Sequence, residues 1–463
     1  MPMFPSLRHL LRASFAAFLL GFCGFCSLAH AEDASLLLPL ARAPRKSISL
    51  KEAIDLALRT HPSGEQARAN VDVASARVEE SRAPYLPQVA ASAQYQRTTG
   101  NVPVRPGYNS SNAAQSAVNT QPVTWDPSFN SYTFGASASQ LIYDFGQTSE
   151  RWRSSEANAA SAIDSERATQ IQIVSNVRKA YFQARAQKDL VDVASDAVKN
   201  QQRHLDQIQG LVEQGMRAEI DRVTAETNVA NAQVQFIAAQ NAYVLACAAL
   251  DQSIGLSASA GYQPASDEMG AVPEENAPLE QLLEIALRDR PELAAFAEQR
   301  KAQEHLVGAA NGAYGPSLSA AANVTDQGIA LDHLTPNWWV GALLSWQIFQ
   351  GGATAGQVRE AKATLRVIQA QEDTFRLSVR IDVEQSSLAV QAARATLAAA
   401  GLALTNARRQ LELAESRYTV GMGSVIELGD SQVVATQAAA QEVNARYTLA
   451  SARAALLGAL GRQ

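Results

Sequence analysis

Proline is absent from two long stretches of this 463-residue chain, residues 147–255 and residues 337–463. Alanine, glutamine, glutamate, arginine and serine dominate the first stretch, and all five are tolerated or favoured in helices. A single helix over residues 147–213 would be roughly 100 Å long at about 1.5 Å per residue. No compact globular domain needs such a rod, so the composition predicts an elongated, mainly helical protein.

Each proline-free stretch contains a glycine-methionine pair at which a long helix is expected to reverse. The pairs are Gly215-Met216 and Gly421-Met422, and they lie 206 residues apart. Glycine commonly ends a helix because it adopts the left-handed conformation without steric cost. The sequence therefore predicts two long helical hairpins, with tips at residues 213–218 and 419–424.

The first 31 residues have the pattern of a secretory signal peptide. Arg8 and Arg12 supply the positive charge, an apolar run follows over residues 15–25, and Ala29-His30-Ala31 is a typical cleavage site. A lipoprotein signal is disfavoured because phenylalanine precedes both candidate acceptor cysteines. We therefore expect residues 1–31 to be removed on export.

The sequence has only three cysteines, and two of them, Cys23 and Cys26, lie in the expected signal peptide. Cleavage would leave Cys247 alone, so no disulfide could form within the mature chain. Cleavage would also remove two arginines and no acids, which moves the formal net charge from -6 to -6 - 2 = -8. An acidic exported chain is a poor candidate for binding nucleic acid.

Apolar runs long enough for a membrane-spanning helix are also missing after the N-terminal segment, so no transmembrane helix is expected. Spanning a membrane would then require strands of a closed barrel. Apolar and small polar residues alternate in two regions, residues 86–143 and residues 316–349. A long polar loop, residues 98–128, divides the first region. Alternation of this kind predicts two β-hairpins, each with one apolar and one polar face.

The order of elements occurs twice along the chain, and the fold class is mixed and mainly α. A polar N-terminal arm, residues 32–48, precedes the first repeat, residues 49–255. An equatorial linker, residues 256–278, separates it from the second repeat, residues 279–463. Each repeat has a helix, a β-hairpin, a long helix, a tip and a second long helix. The sequence thus predicts an internally duplicated chain.

Two hairpins give four strands per chain, and four strands cannot close a barrel, for which eight is the practical minimum. Open strand edges are not tolerated in lipid. Subunits are therefore expected to pool their strands, giving eight from a dimer or twelve from a trimer. The competing interpretation is a soluble sheet sandwich between coiled coils, without a membrane role.

Acidic residues follow both tips. Asp221 follows the first, whereas Glu427 and Asp430 follow the second and share one face of a helix. Taken alone, they are ordinary acids in a first helical turn, where they stabilise the helix dipole. Symmetry about an axis would instead repeat each carboxylate as a ring, and rings of acids select cations.

The chain resembles the TolC-type outer-membrane factor family over about residues 49–461. Three segments carry the resemblance: residues 141–147, residues 346–352 and the spaced motif from Tyr418 to Asp430. The resemblance implies a homotrimer with a twelve-stranded outer-membrane β-barrel in lipid and a twelve-helix coiled-coil tunnel in the periplasm. It also implies two protein partners, a periplasmic adaptor and an inner-membrane transporter of the RND or ABC type.

The family resemblance also assigns roles to residues of the tips. Tyr418 and Asp221 match a hydrogen-bonded gate latch, and Glu427 and Asp430 match an acidic pore constriction. The tips that contact the adaptor correspond to Gly215, Met216, Gly421 and Met422. The chain departs from the family pattern in two places.

Gly423 replaces an arginine that helps to lock some members, and Ile220 replaces a polar latch partner. We therefore expect a weaker latch, or one built from other groups such as Arg217.

Catalytic and cofactor motifs are lacking. The six histidines are scattered without metal-ligand spacing, and no glycine-rich phosphate loop precedes a Lys-Ser/Thr pair. No enzyme activity, metal or cofactor is expected. The leading hypothesis is a passive exit duct for drugs, metals or secreted proteins, located in the outer membrane and extending into the periplasm. The alternative from another class is a periplasmic structural or adhesive coiled-coil protein.

Overall fold

The computed structural model describes residues 46–99, 128–256, 261–267 and 269–463. In those residues the helices are α1 Leu50–Thr60, α2 Pro62–Arg82, α3 Gln147–Glu213, α4 Glu219–Ile254, α5 Leu279–Asp289, α6 Pro291–Gly312, α7 Ala353–Thr419 and α8 Val425–Ala459. The strands are β1 Lys46–Ile48, β2 Gln88–Thr99, β3 Ser128–Tyr143, β4 Tyr262–Pro264, β5 Ser317–Ala330 and β6 His333–Ser345. The expected signal peptide, most of the N-terminal arm and most of the loop at 98–128 lie outside the described residues.

Short helices open both halves of the chain. Ser49 caps α1 and forms a capping box with Glu52, in which each side chain accepts a hydrogen bond from the other residue's backbone N–H. Pro62 begins α2 at its first position, where a missing N–H costs nothing. The second half repeats this break at Pro291, the first residue of α6. These signals end one helix and start the next at a bend.

Two helices, α3 and α7, each contain 67 residues. Each is preceded by a left-handed glycine, Gly146 or Gly352, which turns the chain from strand into helix. Helix α3 packs against α4, α7 packs against α8, and α3 also contacts α8. The long helices therefore lie side by side in the order α4–α3–α8–α7, which leaves α4 and α7 at the two ends of the layer.

The main sheet is antiparallel, with strand order β2–β3–β5–β6. Pairing of β3 with β5 joins the hairpin of the first half to that of the second. Strands β2 and β6 each have one neighbour among the strands that the structure describes. The sheet is therefore open at both edges in a single chain.

Cross-strand register sorts side chains into apolar and polar rows. Ala91, Ala136, Val324 and Trp338 are successive partners across all four strands. The adjacent row has the opposite character and contains Ser92, Gly135, Thr325 and Asn337. Because neighbouring residues in a strand point to opposite faces, the apolar row and the polar row lie on opposite faces of the sheet.

Among the described residues, the largest group of buried side chains lies where the shorter helices meet the long ones. Tyr181 and Phe182 of α3 are fully buried there beside Leu250 of α4. Nearby, the buried Glu275 carboxylate accepts hydrogen bonds from Arg453, with Nε 2.9 Å away, and from Arg394. These contacts fix the linker between the halves to α7 and α8.

One helix of the described part, α7, is long and apolar enough to cross a membrane by length and composition. The apolar window has a mean hydropathy of 1.3, and 17% of it is buried. The expectation that no such stretch follows the N-terminal segment is therefore wrong. The discrepancy arises because alanine and leucine raise the mean hydropathy of α7 although polar residues interrupt its apolar runs. Core helices of soluble proteins can have the same length and hydropathy.

Candidate functional site

Four helices meet where the two helical hairpins reverse. Ile208 of α3, Ala225 of α4, Ala414 and Tyr418 of α7 and Leu428 of α8 form one buried group, which we call the tip cluster. Since each long helix contributes at least one residue, the cluster holds both hairpins together at this end.

The first tip turn ends α3 with a Schellman motif. Gly215 is left-handed, with a φ of 70°. Its N–H donates to the carbonyl of Val212 at 2.9 Å, and the N–H of Met216 donates to the carbonyl of Leu211 at 2.9 Å. This pair of bonds satisfies the last carbonyls of the helix. Helix α4 then starts after Ala218, which provides no side-chain cap.

The second tip turn has the same backbone motif. Gly421 is left-handed, with a φ of 78°, and the N–H of Met422 donates to the carbonyl of Arg417 at 2.9 Å. Helix α8 starts with a side-chain cap, because Ser424 Oγ accepts the N–H of Glu427 at 3.0 Å. A Cβ at Gly423 would lie 2.9 Å from the backbone nitrogen of Tyr418, so this turn has no room for a side chain there.

Tyr418, one of the two predicted latch residues, is 5% exposed and lies in the tip cluster. The guanidinium carbon of Arg217 lies 5.2 Å from the centre of its ring, which is a cation–π contact between the two hairpins. The centres of the His204 and Tyr418 rings lie 5.3 Å apart, and the ring planes meet edge-on at 66°. Tyr418 is therefore fixed by aromatic and cationic contacts.

Asp221, the other predicted latch residue, lies near Tyr418 without a hydrogen bond to it. Tyr418 Oη has no hydrogen-bond partner among the residues that the structure describes. Burial raises the pKa of the Tyr418 hydroxyl, Arg217 opposes that rise, and the Asp221 carboxylate adds to it. Asp221 is therefore close enough to Tyr418 to affect its pKa. The residue in direct contact with the Tyr418 ring is Arg217.

The two predicted constriction acids differ in their surroundings. Glu427 is half-buried, and its Oε1 lies 2.9 Å from Nη1 of Arg417 in the last turn of α7. Asp430 is exposed. A cleft of about 450 Å³ between α7 and α8 includes Arg417, Glu427 and Arg409 in its lining. Arginine therefore partly balances the acid of Glu427, whereas Asp430 faces solvent.

Large apolar side chains are exposed at both turns. Met216 is 59% exposed, and Met422 is 73% exposed. Their neighbours Ile220, Val420 and Ile426 are also exposed. Gly215 and Gly421, the other residues predicted to contact a partner, lie beside the methionines and shape the turns. Together these residues give the tip an apolar surface in the single chain.

The sequence predicts no contact for two residues of this site, Arg417 and His204, and indicates a third, Arg217, only as a replacement group for the latch. Arg417 precedes Glu427 by a tight turn, and that spacing was the available signal for an ion pair. Arg217 stands where a replacement latch was expected. His204 lies one helical turn before Ile208, and nothing in the sequence around it indicates its contact with Tyr418.

Comparison with known proteins finds a match over most of the chain. The family described as "Outer membrane efflux protein" matches residues 53–256 and 282–462. Outer membrane protein TolC of Escherichia coli (strain K12) is 25% identical, over 96% of this chain and 85% of its own length. A probable efflux pump outer membrane protein, TtgC of Pseudomonas putida, is 23% identical over 83% of this chain and 77% of its own.

Among solved structures, the Campylobacter jejuni CmeC outer membrane channel superposes with a TM-score of 0.75. The match covers 95% of this chain and 94% of that one, at 20% identity. At this level of identity the likeness shows the fold alone, which is that of an outer membrane channel.

Proposed function

The chain belongs to the outer membrane efflux protein family, and we propose that it is the exit duct of a tripartite efflux or type I secretion system, gated at its helical tips. Members of the family are channels, not enzymes. The protein is an efflux channel of the outer membrane that extends into the periplasm. This sets aside a structural or adhesive coiled-coil role.

The open edges of the single chain support a homotrimer. Strands β2 and β6 are the sheet edges, and α4 and α7 are the ends of the helix layer. Both end helices display exposed apolar side chains. On α7 these include Leu377, Leu388, Leu402 and Leu413, and on α4 they include Val234, Ile237 and Leu245. Joining β6 to β2 of the next copy would cover both kinds of edge.

Barrel size favours three copies over two. A barrel of eight strands encloses a space that side chains can fill, whereas larger barrels leave an aqueous channel. Three chains would supply twelve strands and twelve long helices. The polar row of Ser92, Gly135 and Thr325 would then line water, and the apolar row with Val324 and Trp338 would contact outer-membrane lipid.

The tip cluster supports gating at the periplasmic end. Tyr418, Asp221 and Arg217 connect one hairpin to the other, and separating the hairpins would break these contacts. Glu427 and Asp430, repeated by symmetry, would form the narrow acidic ring.

Exposed Met216 and Met422, with Gly215 and Gly421, would meet a periplasmic adaptor. An inner-membrane transporter of the RND or ABC type would supply the energy, because the chain has no nucleotide-binding loop.

Planar-bilayer recording tests the channel and its constriction. The variant Glu427→Ala with Asp430→Ala should lower cation selectivity several-fold, because it removes the charge of the proposed ring. The matched control is Glu79→Ala with Glu80→Ala, which removes the same charge from exposed positions on α2.

Absence of any conductance from the intact protein would overturn the channel proposal. Conductance with unchanged selectivity in the tip variant, or an equal change in the control, would overturn the constriction.

A further inference from the structure

His204 lies on α3 just above the tip cluster, in the seam where α3 packs against α8, and its ring contacts Tyr418 at the end of α7. It is 5% exposed and contacts the Tyr418 ring edge-on. A buried imidazole normally has hydrogen-bond partners for both ring nitrogens. No partner for His204 Nδ1 is present among the described residues. This histidine is therefore held by packing, and its environment suits an uncharged ring.

Polar atoms without partners collect along the same seam. In the part of the chain that the structure describes, Gln201 Oε1, Gln432 Oε1 and Tyr418 Oη also lack hydrogen-bond partners. Arg185 and Tyr447 are hydrogen-bonded between α3 and α8 at 3.0 Å. Helices α3 and α8 are antiparallel, and Gln201 and Gln432 lie 16 and 15 residues nearer the tip than Arg185 and Tyr447. The two glutamines are therefore at nearly the same height along the paired helices. The seam just above the tip cluster is thus polar and incompletely bonded.

The charged groups around the Tyr418 side of this seam are mostly balanced, apart from one cation. Arg417 is paired with Glu427. Asp221 acts on Tyr418 electrostatically. Arg217 already places a positive charge against the Tyr418 ring. On α8, the buried residues near this level include Leu428 and Gln432, and both are neutral. Among the described residues no carboxylate is paired with His204, so a proton on its ring would place a second cation beside Tyr418, with Asp221 as the nearby acid.

We propose that His204 is a proton-sensitive element of the tip: the neutral ring stabilises the seam between the hairpins, and the protonated ring loosens it. This inference rests on the proposed gating function, since it adds acid as one condition under which the tip opens. Burial lowers the pKa of the His204 imidazole, in agreement with a site that disfavours the cation.

The sign of the pH effect follows from linkage. When the seam separates, His204 becomes hydrated and its pKa returns towards the ordinary value of about 6.5. The open tip then binds the proton more tightly than the packed tip. The packed tip is fully favoured above that ordinary pKa and loses stability as the pH falls below it. The loss reaches up to about tenfold in the opening equilibrium per pH unit and per subunit, until the lowered pKa is passed.

Hydrogen–deuterium exchange of the full-length protein in detergent tests this without relying on transport. Exchange at about pH 7.5 and about pH 5, corrected for the intrinsic pH dependence of amide exchange, reports local opening of the tip. Segments 200–216 and 411–424 should exchange at least several-fold faster at the lower pH. The variants His204→Gln and His204→Phe should remove this acceleration. Phe also keeps an aromatic ring against Tyr418.

His305→Gln is the matched control, because His305 lies on α6, where its Nδ1 is 2.6 Å from Glu150 Oε2. This control should keep the acid response at the tips. An acid response that persists in both His204 variants, or its absence from the unmodified protein, would overturn the proposal. Loss of conductance at every pH would instead overturn the channel function and leave the exchange result readable.

Discussion

The turn between α3 and α4 and the turn between α7 and α8 share a backbone and differ in side-chain chemistry. Both are Schellman motifs with a left-handed glycine, Gly215 or Gly421, followed by an exposed methionine. Among the positions that match at the 206-residue spacing and differ in kind, three change the contacts made by the loops themselves. They are Leu211 and Arg417, Arg217 and Gly423, and Ala218 and Ser424.

Because of these differences, the two turns make different kinds of contact. In the second turn, Arg417 and Ser424 both bond to Glu427 of the same hairpin, so its side chains fix their own loop. In the first turn, Arg217 reaches across to Tyr418 of the other hairpin. The second turn is therefore held by bonds within its own hairpin, whereas the first turn contacts the other hairpin through Arg217.

Gly423→Ala should have the largest effect, because it disturbs the packing of the second turn itself. Its Cβ would lie 2.9 Å from the nitrogen of Tyr418 and 3.1 Å from the carbonyl carbon of Arg417. Backbone cannot retreat as a flexible side chain can, and such overpacking costs about 1–3 kcal/mol. Amide exchange across residues 417–424 should become about five- to a hundredfold faster.

Gly429→Ala is the control for this substitution, because a Cβ at Gly429 meets no atom within 4 Å. Gly429 lies in the second turn of α8, where alanine should slow exchange slightly, since it favours a helix by up to about 1 kcal/mol over glycine. Equal behaviour of the two variants would contradict the tight packing at Gly423.

Removing the cap of the second turn should have a smaller effect. Ser424→Ala deletes the acceptor of the Glu427 N–H and should cost about 1 kcal/mol of local stability. Ala218→Ser is its mirror, because it offers the first turn the cap that it lacks. Exchange at the start of α8 should quicken and exchange at the start of α4 should slow. Opposite signs, or no change in either helix, would contradict the difference in capping between the turns.

Local signals in the sequence were enough to predict much of the fold. Proline-free stretches predicted the long helices, and the alternation at Val89 to Tyr95 predicted a strand where β2 forms. The pairing of β3 with β5 could not be predicted, because partners far apart in sequence leave no local pattern. The same holds for the parallel pair of β1 and β4, which places Ile48 beside Pro264. Three-residue strands are too short to show periodicity.

The candidate site divides along the same line. Gly215 and Gly421 marked the turns because left-handed backbone favours glycine. Ser424 could also have been identified, since a serine three residues before a glutamate is a capping signal. By contrast, the contact of Arg217 with Tyr418 joins two repeats, and only their packing creates it. His204 escaped notice for the same reason.

Substitutions at the contact between Arg217 and Tyr418 should have the smallest effect, but they test most directly which group joins the two turns. Arg217→Gln removes the cation from the Tyr418 ring, a loss of about 0.5–1 kcal/mol at a partly exposed site. Resting conductance in planar bilayers should rise about two- to fivefold. Arg222→Gln is the control, because Arg222 pairs with Glu219 and Glu226 of its own helix and should leave the resting conductance unchanged.

Tyr418→Phe then separates the two forms that the latch can take. A hydrogen bond to Asp221 would be lost with the hydroxyl, and the resting conductance would rise. The hydroxyl, however, has no partner among the described residues, and a buried unpaired polar atom costs free energy. Phenylalanine keeps the ring beneath Arg217, so we expect the resting conductance to stay at or below that of the unmodified protein. A rise in resting conductance equal to that of Arg217→Gln would show that the Tyr418 hydroxyl forms the latch. The contact between the turns would then not depend on Arg217 alone.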